Sequence, residues 1–340
     1  MTGGTSWGNM PLKVLIWSFL FVSVSAFAAP ARLAVVNKAD GTTSVFNLAS
    51  KTHEFTVKVG YFPHEVIASP AGDKIFVSNY GKDHVRSTGP ENRPGSTVSV
   101  IDLNAGVLTK DLQLGIPPCA PHGMVTSNDG RKLYVTCEDR QEITVMDLQT
   151  QAVLYSMPTR QEQSHVMVIS PDEMRAYIAN FSPGTVTVLD LVKRSILQQI
   201  VTGPGTEGIG LAADGRTLFA TSVLGSTLFK IDTETFNIIQ SVRTDRSPIR
   251  VTPTPDGKYV LINSSATGNL LVYDTATLRL VKRIPVGRQP IGLSVPNSNF
   301  AYVAAMRDNL VSEIDLQRLE VSNVYATGNK PDGLTYIPAH

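Results

Sequence analysis

Short apolar runs alternate along the chain with polar turn signals at a regular spacing. Residues 133–135 and 259–261 are apolar runs that follow Asp-Gly pairs, and Asp-Gly supplies the positive φ angles of a tight β-turn. Later in each unit an apolar residue is followed by Asp and usually by Leu or Thr. This pattern predicts four short antiparallel strands per unit, a to d, with one turn at Asp-Gly and another at the later Asp.

The later Asp recurs about every 42 residues, which is the sequence signature of a repeat architecture. Four strands per repeat is the content of a propeller blade, so seven repeats predict an all-β, seven-bladed β-propeller. We interpret the recurring side chain as scaffold, because an Asp can accept hydrogen bonds from backbone two residues on and so fix a turn. The seven positions are Asn47, Asp102, Asp147, Asp190, Asp232, Asp274 and Asp315.

The two ends of the chain complement each other. Residues 332–337 match only the first strand of a repeat, and residues 31–60 supply the other three strands. We therefore expect the last blade to be closed by N-terminal and C-terminal strands together, which hides strand edges. The prediction is a single propeller domain over residues 29–340, with an insertion at about 81–96 between strands b and c of one blade.

Three strand-b segments carry a family resemblance. Residues 133–136 read Leu-Tyr-Val-Thr, and residues 75–79 and 177–180 are close variants. On these segments the chain resembles the YVTN β-propeller repeat proteins. The resemblance implies the fold and a wider group that includes extracytoplasmic binding proteins, surface-layer proteins, relatives of the cytochrome d1 propeller and, more distantly, seven-bladed lactonases.

The first 28 residues have the pattern of an export signal. They contain one Lys, an apolar stretch over residues 14–27, and Ala26 and Ala28 placed as an A-x-A cleavage site. We predict a signal peptide over residues 1–28 that is cut after Ala28, so that the mature protein is periplasmic or secreted. The uncleaved membrane anchor is the alternative interpretation.

Charge and hydropathy then narrow the classes of partner. Without the leader the chain has 29 basic and 29 acidic residues, so it lacks the basic excess that drives binding to nucleic acid. No later segment approaches the roughly 20 apolar residues of a membrane span. We therefore expect a small-molecule ligand or an extracytoplasmic protein partner, with no nucleic acid and no transmembrane span in the mature chain.

One position of the repeat changes its chemistry from blade to blade, and such a position is not needed for the blade itself. It is the second residue of strand a, and three of the six histidines fall there. In a propeller the start of strand a lies at the rim of the central channel, so these side chains are predicted to converge. The alternative is that each histidine bonds separately to loop backbone. The predicted ligand-binding residues at the channel mouth are His64, His122, His165, Glu207, Arg250 and Asp332.

The insertion and the two cysteines are predicted to lie on the same face as the channel mouth. The insertion is polar and rich in Gly and Pro, so we expect a loop over the site that brings His84, Arg86 and Arg93; a tolerated surface insertion is the alternative. Strands a and b of one blade bring Cys119 near Cys137, and export favours a disulfide. Separate thiols, or Cys137 as a soft metal ligand, remain open.

Three functional hypotheses follow. The first is an exported binding protein or scaffold that holds a ligand, a metal-containing cofactor or a protein partner at the channel face; His64, His122 and His165 are the residues that could bind a transition metal. The second follows from the resemblance to cytochrome d1-like propellers, which implies haem-associated redox chemistry with one of these histidines beside the haem. The third is a lactonase-type hydrolase in which Glu207 or a histidine acts as general base and Arg250 stabilises the oxyanion.

Overall fold

The computed structural model describes residues 1–5, 30–82 and 93–339. The predicted signal peptide after residue 5, with its cleavage site at Ala28, lies outside the described residues. So do His84 and Arg86 of the predicted loop, whereas Arg93 is described.

The described residues form 28 strands in seven antiparallel sheets of four, and each sheet is one blade. The only helix in these ranges is a 3-10 turn, Glu138–Arg140, and no helix there is long and apolar enough to cross a membrane. The strands in chain order are β1 to β3 (Arg32–Asn37, Thr42–Asn47, Thr52–Lys58), β4 to β7 (Pro63–Ala68, Lys74–Asn79, Thr97–Asp102, Val107–Gln113), β8 to β11 (Pro121–Thr126, Lys132–Cys137, Glu142–Asp147, Val153–Pro158), β12 to β15 (Ser164–Ile169, Arg175–Asn180, Thr185–Asp190, Ser195–Val201), β16 to β19 (Thr206–Leu211, Thr217–Ser222, Thr227–Asp232, Ile238–Arg243), β20 to β23 (Pro248–Pro253, Tyr259–Ser264, Asn269–Asp274, Leu280–Pro285), β24 to β27 (Pro290–Ser294, Phe300–Ala305, Leu310–Asp315, Glu320–Ala326) and β28 (Pro331–Ile337).

The ring closes as predicted. The sheet order β28-β1-β2-β3 pairs the last strand of the chain with the first, antiparallel, with Arg32 opposite Ile337 and Ala34 opposite Thr335. The seven-bladed propeller with a shared last blade is therefore confirmed.

The turns between strands c and d show why the Asp recurs. The Oδ1 atom of Asp102 accepts hydrogen bonds from the backbone N–H groups of Asn104 and Ala105, both at 2.9 Å. Asn47 makes the same pair of bonds in the closing blade, each at 3.0 Å. The Asp or Asn side chain at this position thus accepts the backbone N–H groups of the turn between strands c and d, and the interpretation of the position as scaffold is confirmed.

The hydrophobic core lies between neighbouring blades. Tyr134 and Ile143 of one blade pack against Ala176 and Ile178 of the next, and all four are buried. Strand b thus contributes the Tyr, Val, Ile and Leu side chains that join one sheet to the next, in the manner of sheet-on-sheet packing.

The first strands of neighbouring blades approach backbone to backbone, which places them innermost. A Cβ atom at Gly292 would lie 2.1 Å from the backbone oxygen of Asp332, and one at Gly333 would lie 2.5 Å from the backbone oxygen of His64. Real side chains do not tolerate such distances, so glycine is required here. The tight inner ring brings the second residues of these strands together at one end of the channel.

Candidate functional site

A cavity of about 340 Å³ lies at the channel end where the first strands of the blades begin. Every blade contributes at least one residue to its lining, so the cavity is a product of the closed ring. The structure brings all six residues predicted for the channel mouth to this cavity: His64, His122, His165, Glu207, Arg250 and Asp332.

The cavity is built from three positions of the repeat. The second residue of a first strand lines the cavity in six blades, and Arg250, the third residue of β20, does so in the seventh. The first residue after strand b stands beside it, as Glu138 does after β9. The residue before each first strand has a positive φ between 44° and 71°, a conformation that is uncommon outside glycine. These left-handed residues are Phe62, Ala120, Gln163, Gly205, Ser247, Gln289 and Lys330.

The three histidines form a stack across the floor. The ring centroids of His64 and His122 are 4.6 Å apart, and those of His122 and His165 are 3.7 Å apart with a tilt of 32°. His122 is 1% exposed, and within the described residues neither of its ring nitrogens has a hydrogen-bond partner. Burial first, and then the neighbouring charges of His165, His64 and Arg250, hold the pKa of His122 well below its usual value. Its imidazole is therefore neutral, with a lone pair to offer.

His165 lies between two carboxylates. Its Nδ1 is 2.5 Å from Oε1 of Glu138, and its Nε2 is 3.5 Å from Oε1 of Glu207. Burial acts to lower the pKa of His165, but the charges and hydrogen bonds of the two carboxylates outweigh it and raise the pKa to about 9. The other oxygen of Glu138 accepts a 2.6 Å hydrogen bond from the hydroxyl of Tyr80.

Arg250 and Lys38 complete the charge pattern of the floor. The guanidinium of Arg250 pairs with Glu65 and, at 3.4 Å, with Glu207. Burial raises the pKa of Glu65 against the pull of Arg250. At Glu207 burial also acts to raise the pKa, but His165 and Arg250 outweigh it and lower the pKa. Lys38 Nζ is 3.1 Å from Oδ2 of Asp332, so the charges of the floor are largely paired with one another.

The rim of the cavity combines apolar side chains with side chains that donate hydrogen bonds. Phe62, Phe181, Ile291 and Met306 supply the apolar surface. The side-chain carbonyls of two rim glutamines are occupied, which leaves their NH₂ groups to donate: Gln163 accepts from Ser182, and Gln289 accepts from Arg307. Lys330 is exposed at the same rim and has no ion-pair partner within the described ranges.

Arg93, the described residue of the predicted loop, and the disulfide both lie near the cavity but do not line it. Arg93 lines a neighbouring groove with Gly60 and Tyr61 and is not among the residues that line the channel cavity. Cys119 and Cys137 are joined in a disulfide with a Cα separation of 4.8 Å. The bond links the entry to β8 with the end of β9, and it leaves no thiol at Cys137 to bind a metal.

Sequence reasoning missed four polar residues of the floor. Lys38, Tyr80 and Glu138 are the first residues after strand b in their blades, and Glu65 follows His64. The signal was present: the position after strand b also changes from charged to aromatic to apolar between blades, as the histidine position does. A search for a second variable position would have found it.

The side chains and the size of the cavity limit which metal or cofactor it can hold. Among the described residues, the grouping with metal-ligand spacing contains His122, Glu138 and His165, and His64 is not part of it. Haem ligation is not favoured by this cavity, because about 340 Å³ is at the small end of ligand pockets and His122 is packed between two other rings.

General-base catalysis is not favoured by this geometry. A general base must be unprotonated near the working pH, whereas the raised pKa of His165 keeps it protonated. Glu207 is engaged by His165 and Arg250. The arrangement is better suited to binding than to taking a proton from water.

Comparison with known proteins agrees with the seven-bladed propeller. Residues 102–299 match the family model described as YNCE-like beta-propeller, so the chain belongs to the YNCE-like β-propellers, consistent with the YVTN resemblance. A search of curated protein sequences returned no match.

Two solved structures show the same fold. One is described as Kuenenia stuttgartiensis hydrazine synthase, with 18% identity, a TM-score of 0.69, and coverage of 88% of this chain and 99% of that chain. The other is a functionally unknown protein from Desulfotomaculum acetoxidans DSM 771, with 14% identity, a TM-score of 0.75, and coverage of 92% and 100%.

Proposed function

We propose that this chain is an exported binding protein that holds a small organic anion, with a carboxylate as the charged group, in its channel cavity. The observation that carries the proposal is the cavity of about 340 Å³, whose floor is polar and whose rim combines apolar surface with donors. Pockets for small molecules are concave and mostly apolar, with a few placed polar groups that fix orientation.

The size and lining of the cavity favour a molecule of modest size. Its volume lies near the lower end of the roughly 300–1,000 Å³ found for ligand sites. Phe181 and Met306 lie on the rim, where they can cover the apolar part of a ligand.

The charge pattern favours an anion. The cations of the floor, Arg250 and Lys38, are already paired with carboxylates, so no charge on the ligand is needed to neutralise them. At the rim the available groups are donors: the ammonium of Lys330 and the NH₂ groups of Gln163 and Gln289. A carboxylate accepts from all of these groups, and hydrogen bonds to ionised groups are the stronger kind.

Export is supported by two independent features. The leader has the charge, apolar stretch and A-x-A site of a signal peptide. The disulfide between Cys119 and Cys137 is the kind of bond that persists in oxidising compartments.

The test is binding of a matched panel of small carboxylates and their uncharged amides, measured by ligand-observed NMR. Acids should bind and amides should not, and Lys330→Gln should weaken acid binding several-fold because a rim charge is lost. Lys193→Gln is the control, since Lys193 lies exposed in a turn between strands c and d. Equal binding of acids and amides, or an unaffected Lys330→Gln variant, contradicts the proposal and leaves a protein partner as the better hypothesis for this face.

A further inference from the structure

We propose that His122, Glu138 and His165 form a site for one divalent transition-metal ion at the floor of the cavity. The inference goes beyond the binding of an organic anion and does not depend on it. It rests on side chains of the described residues alone.

The three side chains come from separate, rigid parts of the fold. His122 is on β8 and His165 is on β12, the first strands of neighbouring blades, and Glu138 begins the 3-10 turn after β9. The disulfide fixes Cys137, next to Glu138, against the segment that leads into β8. A metal site needs such support, because its ligands must be held close to the required geometry.

The distances are near those of a metal centre. One ligand atom from each residue lies within 4.8 Å of the other two. Metal–ligand bonds of about 2.0–2.2 Å at tetrahedral angles hold two ligand atoms about 3.3–3.6 Å apart, so the widest separation must close by more than about 1 Å and the 2.5 Å pair of His165 and Glu138 must open by about 1 Å. No hydrogen bond within the described structure holds the His122 ring, so a shift of that side chain within the histidine stack, together with parting of the His165–Glu138 pair, can supply these changes.

Two of the ligands already have the outer partners that metal ligands use. The Nε2 of His165 faces Glu207, as in the carboxylate–histidine–metal arrangement that fixes the ring and increases its basicity. The hydroxyl of Tyr80 donates to Oε2 of Glu138, which leaves Oε1 for the ion. When the ion binds, it replaces the proton between His165 Nδ1 and Glu138 Oε1, and that proton passes to water.

The lack of a hydrogen bond to the His122 ring is what distinguishes a metal site from a simple ion pair of His165 with Glu138. The pair of His165 with Glu138 accounts for those two residues without a metal, but it provides no polar partner for His122. A buried imidazole whose two nitrogens make no hydrogen bond, with Oε1 of Glu65 at 4.0 Å from Nδ1, is an exception among buried polar groups, and ligation of a metal satisfies one of them.

The donor set indicates the class of ion. Two imidazoles and one carboxylate suit zinc, iron, cobalt or nickel better than magnesium or calcium, which prefer oxygen ligands alone. Three protein ligands leave further coordination positions open, as in metal sites that also bind water or a small molecule.

The test is titration of the EDTA-treated, purified protein with Co²⁺, followed by its visible absorption, with Zn²⁺ as competitor and no organic acid present. We expect one Co²⁺ per chain, displaced by Zn²⁺. Binding should weaken at least tenfold in His122→Gln and in Glu138→Gln, in line with loss of a ligand. His53→Gln is the matched control, because His53 is exposed on β3, and it should bind as the wild type does.

A second measurement on the wild type removes dependence on variants that fold poorly. Bound Co²⁺ should produce hyperfine-shifted ring resonances from two histidines in the proton NMR spectrum. Absence of Co²⁺ binding, shifted signals from no histidine, or unchanged affinity in both folded variants overturns the inference. Carboxylate binding is measured separately in EDTA, so failure of the metal site and failure of the proposed function are told apart.

Discussion

Raising the pH of the metal-free protein should remove stability through one residue, His165. Its pKa is raised to about 9 in the folded protein, against about 6.5 when unfolded. A base with a raised folded pKa contributes stability that is fully present below its unfolded pKa and is lost as the pH rises through the folded pKa. The loss should therefore fall between pH 6.5 and 9.5.

The magnitude follows from the size of the shift. Each pKa unit corresponds to about 1.4 kcal/mol, so the free energy of unfolding should fall by about 3 kcal/mol across this window. The side chain is 14% exposed, so solvent screening reduces the effect little. His122 acts in the opposite direction: its depressed pKa removes stability as the pH falls below about 6.5, and the window is chosen to exclude that range.

The assay is urea unfolding in EDTA at several pH values, compared with His165→Gln. The difference between the two proteins isolates His165 from other titrating groups, including Glu65 with its raised pKa. The variant should lack the 3 kcal/mol fall, whereas His53→Gln should retain it. Parallel pH profiles for wild type and His165→Gln, or an NMR titration that places the pKa of His165 below 7, would refute the account of its two carboxylate partners.

Three further outcomes are expected. Ile337→Ala, on the ring-closing strand and 1% exposed, should cost about 2–5 kcal/mol in urea unfolding, whereas Val324→Ala, 51% exposed on β27, should cost under about 0.5; equal costs would argue against a buried closing strand. Intact-mass measurement of the protein purified from its own cells should show a chain that starts at Ala29, and retention of the leader would show an anchor instead. Alkylation under denaturing conditions without reductant should leave Cys119 and Cys137 unmodified, and labelling of both would show free thiols.

The sequence was sufficient for the ring and for part of the site, for physical reasons. The turn-forming Asp, as at Asp102, bonds to backbone within three residues. Strands also pair with their neighbours in the sequence, so a blade can be recognised from one local stretch of sequence. The second residue of strand a could be assigned to the channel because six of the seven blades place it in the cavity lining. The pairing of His165 with Glu138 depends on how one blade sits against the next, which no local pattern records. That the His122 ring makes no hydrogen bond within the described structure likewise appears only once the blades are packed.

Native mass spectrometry of the protein isolated from its own cells tests the binding function most directly. We expect a species heavier than the bare chain by the mass of a small organic acid, which denaturation releases. Met306→Trp places a larger side chain in the cavity and should abolish that species, whereas Met174→Trp, 47% exposed in the turn between β12 and β13, should retain it. A bare mass in the wild type, or an adduct that persists in Met306→Trp, would contradict a small-molecule site in the channel.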